Sequence, residues 1–153
     1  MKHGTRLVAV ALAMGSMAAA QPVPAALAAL AAKARLGGPV AAWCHGEFRP
    51  KHPRAFAVAI ASAAGGGRYA VLEPDATVTQ LGSFTGGADL KCYSRAAARK
   101  LNDAIASSET IHGRVIPRWN TTVVCAFMDD VTSVCWQYSP TDRAFVEVGG
   151  WVT

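Results

Sequence analysis

From Val40 onward the chain is written in short apolar stretches broken by glycine and proline. Residues 54–62, RAFAVAIAS, put Phe56, Val58 and Ile60 on one face and alanines on the other, the period-two pattern of a strand. AAGGG follows as a turn in which glycine can take positive φ, and RYAVLE is the returning strand. Pro74-Asp75 turns the chain into TVTQLGSF, where Val78 and Gln80 alternate with Thr79 and Leu81. Before these, Val40–Phe48 reads as a strand stopped by RPKHP, because two prolines in close succession forbid regular pairing. In the last third, NTTVVCAFM and TSVCWQYS flank Asp129-Asp130 as a hairpin, and Pro140-Thr141-Asp142 leads into RAFVEVGGW.

The period changes once. Residues 90–107, LKCYSRAAARKLNDAIAS, carry Ala97, Leu101, Ala104 and Ile105 on one helical face and charged residues on the other, with Ser94 or Asp89 available as a cap. A shorter alanine- and leucine-rich run after Pro22 and Pro24 reads either as an N-terminal helix stopped by Gly37-Gly38-Pro39 or as a loosely ordered leader. YAVLEPDATVTQLGSF (69–84) lies over WQYSPTDRAFVEVGGW (136–151) with one small gap, each preceded by a further strand. The expected fold is α+β: about six antiparallel strands in two similar three-stranded meanders, with one main helix at about 90–107 between them and a short N-terminal helix.

The N-terminus has a different character. Lys2 and Arg6 precede the apolar run LVAVALAMGSMAAA, which ends in small residues, the pattern of a secretory signal peptide. The run is short for a membrane span of about 20 residues, and Pro22 and Pro24 stop its extension. The expected organisation is a signal peptide at 1–20, a helical or leader segment at 21–39 and a single α+β domain at 40–153, with Gln21 as the mature start and no membrane span after cleavage. Removing residues 1–20 from the 153 leaves 133, and losing Lys2 and Arg6 takes the net charge from +5 to +3. An exported protein of this charge is not expected to meet nucleic acid; the partners it suits are another protein or an anionic envelope component.

Cys44, Cys92, Cys125 and Cys135 make an even count, which in an exported chain reads as two disulfides. Three connectivities are open. Local order favours Cys44–Cys92 with Cys125–Cys135, since a three-residue turn at Asp129-Asp130-Val131 would set the latter two opposite each other. No pair of C-x-x-C motifs offers a metal site, and GGGR lacks the Lys-Ser/Thr of a phosphate loop, so no cofactor is expected.

Candidate chemistry concentrates in AAWCHGEFRPKHPR (41–54). Adjacent strand residues point to opposite faces, so His45 cannot serve Cys44 as a base. His45 and Glu47 share a face and with His52 offer zinc ligands, but the plainer account is a solvent-facing strand. Arg49, Lys51, His52 and Arg54 form a proline-stiffened basic loop, a candidate binding surface for an anion or an acidic partner because little ordering entropy is lost on contact. The plainer account there is a solvated loop. Trp43, Trp119, Trp136, Tyr138, Phe145 and Trp151 can form an aromatic platform, although large aromatics in a small sheet protein are more often core. GSFTG does not match G-x-S-x-G. The reading that follows is an exported, disulfide-stabilised binding or inhibitory module with no catalytic residues. The alternative is a small envelope hydrolase with His45 or His112 as base and Glu47 or an aspartate orienting it, which requires these groups to converge with a nucleophile in a concave pocket.

Overall fold

The computed structural model describes residues 21–108, 112–113, 116–117, 119–127 and 133–152, and of residues 112–113 and 151–152 the backbone alone. The proposed signal peptide and the Asp129-Asp130 turn lie outside the described residues.

The chain runs α1 (Ala25–Ala34), β1 (Val40–Gly46), β2 (Ala55–Ala61), β3 (Gly67–Leu72), β4 (Val78–Phe84), β5 (Asp89–Tyr93), α2 (Arg95–Ser107), β6 (His112–Gly113), β7 (Val123–Phe127), β8 (Ser133–Ser139), β9 (Ala144–Gly149) and β10 (Trp151–Val152). β1-β2-β3-β4 form one antiparallel sheet and β5-β7-β8-β9 a second, while β6 and β10 pair separately. The fold is α+β with two disulfides, as the sequence leads one to expect, but each meander has four strands rather than three.

The extra strand of the second sheet is the start of the expected helix. Leu90-Lys91-Cys92-Tyr93 pairs with β7, and α2 begins only at Arg95 with the Ser94 hydroxyl accepting the Ala97 N–H at 3.3 Å. Leu90 is buried and Lys91 exposed, the alternation of a strand. The long-range pairing and the Cys92 cross-link outweigh the helical propensity of the flanking residues. The buried stripe of α2 is Ala98 and Ile105 with Leu101 half-buried between them, whereas Ala104 faces solvent.

Both faces of β2 are buried, and its alternation explains the layering. Val58 and Ile60 meet Leu27 and Leu36 from the α1 side. The alanine face, Ala55, Ala57 and Ala59, turns inward, where small side chains leave room for Phe48, Tyr69, Trp136, Leu90 and Val124 between the sheets. On the far side Ala98 of α2 and Ile116 cover Val123, Cys125, Cys135 and Val148. The order of layers is therefore α1, first sheet, second sheet, α2. At Gly82 an added Cβ would stand 2.8 Å from Trp136 Cζ2, so glycine is what lets β4 approach that ring.

β1 of the first sheet lies beside β5 of the second, joined by Cys44–Cys92 with Cα atoms 5.7 Å apart. Cys125 and Cys135 face each other in register across β7 and β8 and close the second disulfide. Each meander ends in the same way: a proline-containing turn, Pro74 or Pro140, with Ala76 or Arg143 at positive φ, then a last strand carrying a bulge. Among the described residues, no helix is long and apolar enough to cross a membrane.

Candidate functional site

The turn between β1 and β2 is fastened at its root. Glu47 N–H donates to Thr122 Oγ1 at 3.0 Å, and Thr122 N–H donates to the Glu47 carbonyl at 2.8 Å. Gly46 permits this approach, since a Cβ there would lie 2.6 Å from Thr122 Oγ1. Phe48, 1% exposed, plugs the space between the sheets. The next residue, Arg49, is held from every side: Nε donates to Glu73 Oε1 at 2.8 Å, Nη2 donates to Thr79 Oγ1 at 3.3 Å, and the guanidinium carbon lies 5.0 Å from the Tyr138 ring centre and 5.4 Å from that of Phe145. Tyr138 and Phe145 themselves meet edge to face. Arg49 thus ties the end of the first sheet to the end of the second.

Beyond Arg49 the chain turns sharply. His52 N–H donates to the Arg49 carbonyl at 3.3 Å, with Pro50 at the second position and Lys51 at φ 59° in the third, the pattern of a type II turn. Glycine or asparagine is usual where Lys51 sits, and a lysine there stores strain of about 1–2 kcal/mol. Lys51, His52 and Arg54 are all exposed. Of the four basic-loop residues singled out in the sequence, three therefore stand outward, and Arg49 is the brace beneath them.

Against this loop lies a cleft of about 290 Å³ lined by Arg49, His52, Pro53, Glu73, Pro74, Asp75 and Thr77. Its far wall is the β3–β4 turn, closed by Ala76 N–H to the Glu73 carbonyl and Glu73 N–H to the Thr77 carbonyl, both 2.9 Å. Asp75 Oδ1 accepts the Thr77 N–H at 2.9 Å. That bond, then the Thr77 hydroxyl and, least of all, a pull from Lys33 on α1 hold the Asp75 carboxyl below the usual aspartate range.

The sequence marked the basic loop but not its opposite wall. Pro74-Asp75 read there only as a turn, and the pairing of Arg49 with Glu73, 24 residues on, leaves no local signature. The spacing Asp75-Ala76-Thr77 is the one signal that was present, an aspartate able to bond the backbone two residues on. Tyr138 and Phe145, candidates for an aromatic platform, instead receive Arg49, and Trp136 packs against Tyr69 at 5.6 Å between ring centres.

His45 and Glu47 are exposed, outside the cleft, while half-buried Cys44 turns the other way into its disulfide. His112 contributes backbone alone to the described residues. Within the cleft, no hydrogen bond joins the His52 imidazole to the Glu73 or Asp75 carboxylate among the described residues. His45, Glu47 and His52 do not assemble as a metal-holding group; among the described residues no three His, Cys, Asp or Glu do so. No protein-family model, curated protein or solved structure matches the chain.

Proposed function

We propose that this chain is an exported binding or inhibitory module that contacts another protein or an envelope component through the loop from Arg49 to Arg54. The observation that carries the reading is the brace. Phe48, Arg49 and the Glu47–Thr122 bonds fix the root of a turn whose outward residues are Lys51, His52 and Arg54. A loop already held in one conformation loses little freedom on contact, where a mobile one gives up about 0.5–1.5 kcal/mol for each long side chain it orders. The strain at Lys51 supports the same reading, since unfavourable backbone angles persist where a conformation serves a contact. Two closed disulfides fit an oxidising compartment outside the cytosol, and the charged, apolar and small-residue pattern of residues 1–20 supplies the means of export.

The test is capture from an envelope extract by the mature protein, its start at Gln21 checked by intact mass. Lys51→Glu with Arg54→Glu is compared with the unaltered chain. Both side chains are exposed, so the double variant is expected to fold and melt as before while losing most of what it captures. Equal capture by both proteins would remove the loop from the function.

A further inference from the structure

We propose that the cleft between the β1–β2 loop and the β3–β4 turn seats one cationic side chain, lysine or arginine, of a partner protein, with its charged end at the Asp75 carboxylate and its methylene stem between Pro53 and Pro74. This rests on the reading of the face as a contact surface and adds the class of the partner.

The charge count along the lining decides the sign of the guest. Arg49 is the one guanidinium of the wall; its Nε and Nη2 donate to Glu73 and Thr79, and the group lies against the Tyr138 and Phe145 rings. Glu73 is engaged by Arg49 in turn. With histidine counted neutral, one guanidinium of the lining stands against two carboxylates, and the charge left over is that of Asp75, on which Lys33 of α1 is the weakest of the influences. Its Oδ1 is oriented by the Thr77 N–H, which fixes the group without neutralising it. A cleft within a basic loop region therefore presents a negative charge to whatever enters it.

Size and walls narrow the guest further. A volume of about 290 Å³ is at the lower limit of small-molecule sites and suits one long side chain. Pro53 and Pro74 give the lining an apolar part that cannot donate a hydrogen bond and is stiff. A cleft with stiff apolar proline walls and an exposed, fixed carboxylate at its edge matches a side chain with a methylene stem and a cationic head.

The rim argues that this side chain belongs to a protein. Lys51 and Arg54 stand exposed on either side of His52-Pro53 in the chain and repel a free polyamine. A partner segment that carries carboxylates beside its lysine or arginine satisfies rim and cleft together. A uniformly anionic lipid or polymer surface meets Lys51 and Arg54 favourably but is opposed by Asp75.

Backbone amide NMR of the mature protein, with N-acetyl-arginine amide, N-acetyl-lysine amide and N-acetyl-glutamate amide as probes, tests the assignment. The cationic probes are expected to move the amides of His52, Ala76 and Thr77 saturably, and the glutamate probe not to. Asp75→Asn keeps an oxygen for the Thr77 N–H and removes the charge, so it should leave the turn intact and weaken the cationic probes roughly two- to fivefold. Absent shifts, or identical affinity in Asp75→Asn, would overturn the proposal. So would vesicles of phosphatidylcholine and phosphatidylglycerol in equal parts that bind Asp75→Asn more tightly than the unaltered chain, a result that assigns the face to an anionic surface. The parent reading fails separately, through capture that ignores Lys51→Glu and Arg54→Glu while the cleft still takes the cationic probes.

Discussion

Tyr69 is 1% exposed, and its hydroxyl has no hydrogen-bond partner among the described residues. Its ring earns the position through Phe84 at 4.8 Å and Trp136 at 5.6 Å, so the oxygen is a cost the core carries without return. Tyr69→Phe removes that oxygen and keeps the ring; the expected result in denaturant melts is a stability unchanged or raised by up to about 1 kcal/mol. Burial, and to a lesser degree the nearby Asp89 charge, push the Tyr69 phenol above its ordinary value of 10.0. The neutral form is thus favoured in the folded state, so this contribution is intact below about pH 10 and is lost as the unfolded tyrosine ionises and the pH climbs towards the folded value. Tyr93 acts in the same sense. Stability measured between about pH 9 and 11 should fall less steeply for Tyr69→Phe than for the unaltered protein.

At the scale of elements, the two disulfides do different work. Cys44–Cys92 spans 48 residues and clamps β1 to β5, the seam where the two sheets meet; Cys125–Cys135 spans 10 and reinforces a pair of strands that already hydrogen-bond. In the chain-entropy account the longer closure contributes roughly 4 kcal/mol and the shorter roughly 3. Replacing Cys44 and Cys92 together by alanine should therefore lower stability by about 2–5 kcal/mol and let hydrogen exchange quicken along β1 and β5 before it does along β3. Exchange that quickens uniformly would show that the seam is held by the core alone. The strands from Val40 to Phe84 were legible from the sequence because Phe56, Val58 and Ile60 alternate with alanine and because glycine or proline breaks every turn. β5 was not, since Leu90-Lys91-Cys92-Tyr93 runs directly into a helix and its strand character comes from β7 and Cys44, both distant in sequence.

For the whole molecule, the sandwich of two meanders brings three turns to one end: the β1–β2 loop, the β3–β4 turn and, through Tyr138 and Phe145, the β8–β9 hairpin. The basic half of the candidate site could be read from RPKHPR alone. Its acidic half could not, because Glu73 and Asp75 become neighbours of that loop only when β2 and β3 pair. The central claim is that the loop is a contact surface made effective by its brace. The measurement that bears on it most directly is binding to immobilised envelope extract at low and high salt by the unaltered protein, by Lys51→Glu with Arg54→Glu, and by Arg49→Gln, each with its melting temperature. The account predicts that the charge reversal abolishes most low-salt binding without shifting the melt. It also predicts that Arg49→Gln, which breaks the bond to Glu73 but leaves Lys51 and Arg54 in place, weakens binding through a loosened loop. Binding that is the same for all three proteins at low salt would contradict it.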